Sequence, residues 1–109
     1  MTASPAWANK AETRLEVPDS AAKGSEITIK MTVIHSANSL FHHVEWAWIQ
    51  VGGKEIARWD FSSSRLPESE TFSRETKLKV EGNLDISAKS SCNLHGSANT
   101  ATANVKVMG

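Results

Sequence analysis

The sequence lacks the features that would define several other classes of protein. Its single cysteine cannot form an internal disulfide, so cysteine content gives no indication of the redox compartment. No apolar run approaches the length that crosses a bilayer. Twelve basic residues balance twelve acidic ones, which is not the charge pattern that nucleic acids or membrane surfaces attract. We therefore expect neither a nucleic-acid partner nor a membrane association.

What remains fits one globular domain. A chain of 109 residues with 39% apolar content can bury one core. Residues 1–10, MTASPAWANK, are small or polar and follow neither helix nor strand periodicity, so we predict a disordered segment there and a domain at 11–109. The Ala-Trp-Ala at 6–8 has the small-x-small form of a signal-peptidase site. The segment is thus either the remnant of a secretory signal in a periplasmic protein or the plain terminus of a cytoplasmic one.

Strand periodicity runs through most of the domain. The clearest case is 25–35, where apolar residues take alternate positions and His35 follows in the inward phase. Comparable patterns predict further strands at 14–17, 43–51, 54–61, 71–80, 84–92 and 100–107. We interpret 20–24 as a turn. About seven short strands without a helix-period segment predict an all-β fold, an immunoglobulin-like antiparallel β-sandwich.

Two groups of residues could together hold a metal ion. Near the C-terminus, the segment CNLHG at 92–96 places a thiol and an imidazole three residues apart, at Cys92 and His95. Upstream, His35 and His42 bracket a second loop. Nitrogen donors with one soft sulfur suit iron, copper or zinc and disfavour magnesium or calcium. We therefore predict His35, His42, Cys92 and His95 as metal ligands on two loops at one end of the sandwich.

Structural explanations compete with this one. A lone cysteine in a sandwich is usually a small buried hydrophobe, but the His-Gly pair at 95–96 beside Cys92 favours a ligand. Successive strand residues point to opposite faces, so at most one of His42 and His43 faces a given site. His35 could instead bond a backbone carbonyl at the end of its strand.

The tryptophans have a simpler interpretation. Trp46, Trp48 and Trp59 are predicted to be core residues, because large aromatic side chains dominate the packing of small sandwiches.

The CNLHG segment, together with HHVEW at 42–46, resembles the desulfoferrodoxin and neelaredoxin family of superoxide reductases. The resemblance spans roughly 15–107. It implies a mononuclear iron held by four histidine nitrogens in a plane and an axial cysteine sulfur, which reduces superoxide to hydrogen peroxide with one electron from ferrous iron. By this match Cys92 is the axial ligand, and His35, His42 and His95 are in-plane ligands. It also implies an electron donor of unknown identity, and a homo-oligomer is left open.

The N-terminal part departs from the family. Family members carry a Glu-Lys-His-x-Pro-like stretch that supplies one iron ligand and a lysine that attracts the anion. Residues 13–17, directly before Pro18, contain neither a histidine nor a lysine, and Glu16 falls about where the histidine would be. Glu16, His43 or water could then fill the plane, and Arg14 could steer superoxide. No rubredoxin-like four-cysteine site accompanies the domain, which implies a one-iron form.

Two other functions remain open from the sequence. A blue-copper electron carrier also combines a β-sandwich with Cys-x-x-His, but residues 97–103 lack the weak axial methionine and Met108 is too distant. A non-catalytic metal-binding or electron-transfer module would keep the fold and lose the chemistry, as the missing histidine and lysine suggest.

Overall fold

The computed structural model describes residues 10–109 and contains eight strands in that range. Their bounds are β1 Glu12–Glu16, β2 Ser20–Ala22, β3 Glu26–Ile34, β4 Val44–Val51, β5 Lys54–Asp60, β6 Thr71–Lys79, β7 Leu84–Cys92 and β8 Thr100–Met108. The predicted segment 1–10 and its signal-remnant interpretation lie outside the described residues, Lys10 excepted. Within 10–109 there is no helix long and apolar enough to cross a membrane.

The strands form two sheets packed face to face. One has the order β1-β3-β6 and the other β2-β8-β7-β4-β5, with antiparallel pairing everywhere except between β2 and β8. The alternating residues of β3 point into the space between the sheets and meet small and branched residues of the opposite sheet. The largest fully buried side chains in this core are those of Ile29, Met31, Val33, Ile49 and Ile86. The predicted immunoglobulin-like β-sandwich is confirmed.

One strand was predicted as a turn. Ser20–Ala22 pairs in parallel with β8, and the backbone N–H of Lys106 donates to the carbonyl of Asp19 at 2.9 Å. Three residues are too few to show an alternating pattern, and a parallel partner 86 residues further on leaves no local signal. The turn prediction is therefore wrong for Ser20–Ala22 and is confirmed for residues 23–24.

The predicted placement of the tryptophans needs a similar correction. Trp59 packs against the core, but Trp46 and Trp48 are half-buried on the outer face of β4, whose inward positions hold Ala47 and Ile49. The two outer rings stack with centroids 6.3 Å apart. The apolar residues on both sides of this strand reflect an aromatic pair packed on the sheet surface and not a second core.

The candidate ligands all lie near one end of the sandwich. The connection 35–43 crosses from β3 in the smaller sheet to β4 in the larger one, and the connection 93–99 joins β7 to β8. Because β4 and β7 are neighbours, with Val44 paired to Cys92, the two connections emerge side by side.

Candidate metal centre

Three ligating side chains converge at this end of the fold. One donor atom from each of His35, His42 and Cys92 lies within 4.8 Å of the other two, and residues 10–109 hold no other such group of histidine, cysteine or acidic side chains. Metal–donor bonds of about 2.0–2.3 Å keep the ligands of one ion within about 4.5 Å of one another. The observed spacing is therefore close to that of a metal cage.

His35 is buried directly after the end of β3, where its backbone N–H donates to the carbonyl of Glu70 at 3.0 Å. Its ring Nδ1 lies 2.7 Å from the carbonyl oxygen of Ala37. Since a carbonyl only accepts, Nδ1 carries the proton in this contact, and Nε2 is left with its lone pair. This is the arrangement by which a backbone carbonyl orients a metal-binding imidazole.

His42 ends the same connection in a tight turn with Ser39, whose backbone N–H donates to the His42 carbonyl at 2.8 Å. Its ring centroid lies 4.9 Å from that of His35, with the two planes nearly perpendicular. The His42 Nε2 atom is buried and has no hydrogen-bond partner among the described residues. Leaving such an atom unpaired costs about 1–3 kcal/mol, and a metal ion would supply the missing partner.

The adjacent His43 bonds the backbone and a side chain of the two connections. Its Nδ1 lies 3.0 Å from the carbonyl of Ser39, and it is not one of the three converging ligands. Its backbone N–H donates to the Asn93 side-chain oxygen and its carbonyl accepts from the Asn93 backbone N–H, each at 3.0 Å. His43 therefore ties the histidine-bearing connection to the cysteine-bearing one.

Cys92 is buried at the end of β7 and begins a closed turn. Cys92 and Gly96 exchange two backbone hydrogen bonds, of 2.9 and 3.0 Å, and the turn closes with Gly96 at φ +76°, a backbone conformation that glycine adopts without steric cost. Inside the turn, the backbone N–H of Leu94 donates to Sγ at 3.4 Å. The same donor would also bond the sulfur of a metal-bound Cys92.

His95 lies at the edge of the cluster. Its ring centroid is 5.2 Å from that of His42, and the residue is exposed, in contrast to the three converging ligands. The structure thus brings all four predicted ligands to one end of the fold, three of them as a converging group and His95 beside it.

Glu16 does not belong to this site. It pairs with Lys30 in β3, whereas His35 follows the other end of that strand. At about 3.3 Å per residue, five residues along a strand separate the two by about 16 Å. Glu16 is therefore excluded as the fifth ligand. The motif before Pro18 predicts a ligand at position 16, whereas the β1–β3 register places Glu12, at the start of β1, opposite Ile34 and nearer the site.

The N-terminal residue next to the site is Ala11. It is fully buried, its N–H donates to the Gly96 carbonyl at 3.1 Å, and its carbonyl accepts from the Ala98 N–H at 2.8 Å. The half-buried Lys10 directly precedes it, so a lysine does stand near this end of the fold. Nothing in the sequence marks these two residues, because they end a small polar segment without periodicity.

The donor set fits a transition ion of the borderline-soft class. Two imidazoles and one thiol converge, and the group contains no carboxylate among the described residues. That composition suits iron, copper or zinc and is unlike the all-oxygen sites of calcium or magnesium.

Comparison with known proteins identifies the family of this chain. The sequence profile of the desulfoferrodoxin family matches residues 6–100, so the chain belongs to the desulfoferrodoxin family. No curated protein matches the chain.

Solved structures share the fold at low sequence identity. A superoxide reductase (neelaredoxin) from Ignicoccus hospitalis is 20% identical, with a TM-score of 0.70 over 91% of this chain and 83% of the other. A putative superoxide reductase from Thermotoga maritima is 21% identical, with a TM-score of 0.64 over 90% and 86%. A CARDB domain from Pyrococcus furiosus, solved in complex with di-metal ions, is 15% identical, with a TM-score of 0.67 over 89% and 91%. Identities this low show the common sandwich alone.

Proposed function

We propose that this protein is a mononuclear iron protein of the superoxide reductase type, which reduces superoxide to hydrogen peroxide. The observation that carries the proposal is the convergence of His35, His42 and Cys92 within 4.8 Å in a chain of the desulfoferrodoxin family. His95, beside His42, is the fourth proposed ligand. Bound ferrous iron would supply the single electron that superoxide takes up.

The residues of this chain would set the conditions for that transfer. The Leu94 N–H donates to the Cys92 sulfur and would tune the electron density that this ligand gives to a bound ion. The Ala37 carbonyl fixes the tautomer and orientation of His35. Superoxide also needs two protons to become hydrogen peroxide. Solvent is their source in this proposal, since the converging group of the described residues holds no carboxylic acid.

Lys10 takes the anion-steering role that the sequence suggested for Arg14. Arg14 lies within β1, points to solvent and pairs with Glu12 at 2.8 Å, which offsets much of its charge. Lys10 adjoins Ala11, whose backbone bonds the cysteine turn, and residues 10–109 show no ion pair to it. A positive charge at the entrance raises the local superoxide concentration.

The direct test is made on anaerobically purified protein. We expect one iron per chain, a sulfur-to-iron charge-transfer band on oxidation, and one hydrogen peroxide formed per superoxide consumed by the ferrous protein in a single turnover. Dismutation would instead yield one peroxide per two superoxides. A protein that carries iron with the expected band yet leaves superoxide decay unchanged would contradict the enzymatic proposal.

The second candidate is a non-catalytic metal-binding or electron-transfer module. The observation that favours it is Ala11, an apolar residue beside the cysteine turn on the side that β1 covers. Iron binding without superoxide reduction would support this function.

A blue-copper carrier has less support. Met108 pairs with Ala22 at the opposite end of β8 from Thr100, eight residues of strand away from the site's end of the sandwich. An axial methionine ligand cannot come from there.

A further inference from the structure

One side of the metal centre, the side covered by β1, is lined by an apolar residue. The side-chain hydroxyls of Thr13 in β1 and Ser90 in β7 lie 2.6 Å apart across the sandwich. Ala11 lies two residues before Thr13, and Cys92 lies two residues after Ser90. Both therefore point inward as Thr13 and Ser90 do, and both are buried. Ala11 is therefore placed relative to Thr13 as Cys92 is placed relative to Ser90. Its methyl group faces the same end of the core as the Cys92 sulfur.

The backbone confirms how near the two residues are. The N–H groups of Ala11 and Cys92 both donate to the carbonyl oxygen of Gly96, at 3.1 and 2.9 Å. Because they share one acceptor, the two backbone nitrogens are roughly 6 Å apart at most. A donor atom on the side chain of residue 11 would therefore be within reach of an ion bound to the Cys92 sulfur.

The rest of the chain has few side chains that could act as a metal ligand at this position. Residues 1–9 contain no histidine, cysteine, aspartate or glutamate. Of the four histidines, His43 is directed to the Ser39 carbonyl and the other three are already assigned to the site. Glu12 is the nearest acidic residue in sequence, but it lies in the opposite phase of β1 and pairs with Arg14.

We infer that an ion held by His35, His42 and Cys92 has an open coordination position on its β1 side, at Ala11. This position comes in addition to any site of superoxide binding. A ligand with a single donor atom, water or a small anion, takes it. The inference rests on the proposed metal centre, and it implies that the number of protein ligands is set by the residue at position 11.

Cysteine and serine at position 11 make a matched pair of test variants. Both are close to alanine in size and place one heavy atom where the methyl group ends, but only the thiolate is a strong metal ligand. The probe is Co²⁺ added to the reduced protein under anaerobic conditions. Thiolate-to-cobalt charge-transfer absorption then reports the number of sulfur ligands independently of enzymatic activity.

For Ala11→Cys we expect about twice the charge-transfer absorption per bound Co²⁺, and a dissociation constant lower by about tenfold or more, in line with a gained ligand. Ala11→Ser should retain the wild-type intensity and affinity. As a second check, Ala11→His should add the outer-shell scattering of one further imidazole ring in X-ray absorption of the Co²⁺ protein, while Ala11→Leu, of similar bulk, should add none.

The outcomes separate this inference from the proposed function. If the wild type binds Co²⁺ with a thiolate band that Cys92→Ser abolishes, but Ala11→Cys keeps wild-type intensity and affinity, the open position at Ala11 is refuted and the metal centre stands. If the wild type shows no thiolate band, both the centre and the inference are refuted.

Discussion

The two connections that carry the proposed ligands are built in different ways. The turn at 92–96 closes on itself through two backbone hydrogen bonds between Cys92 and Gly96, so its shape is set locally. The connection 35–43 spans two sheets, and its histidines are oriented by carbonyls at Ala37 and Ser39 and by a bridge to Asn93. The sulfur is therefore positioned by five consecutive residues, whereas the imidazoles of His35 and His42 lie on a connection that depends on the assembled sandwich. Variants can test this division, from the largest expected effect to the smallest.

Cys92→Ser should have the largest effect on the metal centre. The substitution keeps the size of the side chain but removes the soft ligand. We therefore expect loss of the sulfur-to-iron band and a metal affinity that is lower by more than about tenfold. Metal analysis of the anaerobically purified variant and chelator competition measure this. Full iron content with an unchanged spectrum would show that the sulfur is not a ligand.

Variants of the adjacent residues His42 and His43 should distinguish a metal ligand from a residue that only joins the two connections. His42→Ala should lower iron affinity by about tenfold or more, as should His35→Ala and His95→Ala, because each removes a proposed ligand. His43→Ala should leave iron affinity within a few-fold but lower the free energy of unfolding, because it removes a buried ring that bonds the Ser39 carbonyl. Chelator competition and urea unfolding measure the two quantities. Equal loss of affinity in the variants at 42 and 43 would reverse their assignment.

Asn93→Ala tests the link between the two connections. Its side chain accepts from the His43 N–H at 3.0 Å and donates to the Phe41 carbonyl at 3.1 Å. We expect a few-fold loss of iron affinity and about 1–2 kcal/mol less stability. Asn99→Ala is the matched control, because its amide makes two bonds of 2.9 Å to the backbone of Thr13 instead. If both variants lose the same metal affinity, the link does not position the ligands.

Lys10→Ala should have the smallest effect, confined to the rate. We expect superoxide reduction to slow by a few-fold at low ionic strength and the difference to vanish at high salt, where charges are screened beyond a few ångströms. Arg14→Ala is the control and should change the rate less, because Glu12 already pairs with that guanidinium. Pulse radiolysis at two salt concentrations compares them. A larger loss of rate in the Arg14 variant would show that Arg14, and not Lys10, attracts superoxide.

Much of this architecture was predictable because its signals are local. Alternation located seven strands, and the inward phase of β3 carried through to His35, which is buried. The CNLHG segment at 92–96 marked the sulfur-bearing turn. What failed depended on partners distant in the chain. The strand at Ser20–Ala22 exists through its pairing with β8, and the distance of Glu16 from the site follows from its register with Lys30. The outward stacking of Trp46 likewise reflects which side of β4 the second sheet covers.

The Gly96 carbonyl accepts hydrogen bonds from both Ala11 and Cys92. This shared acceptor has a consequence for the order in which the proposed metal ligands come together during synthesis. A growing polypeptide that has emerged only through β6 presents three histidines but no thiol. Its first strand cannot bond an acceptor that has yet to be synthesised. Closure across so long a loop comes late in folding, as for other non-local β contacts. If the proposed centre binds iron, the complete set of ligands would thus become available only after residues 92–96 have been synthesised and bonded to Ala11.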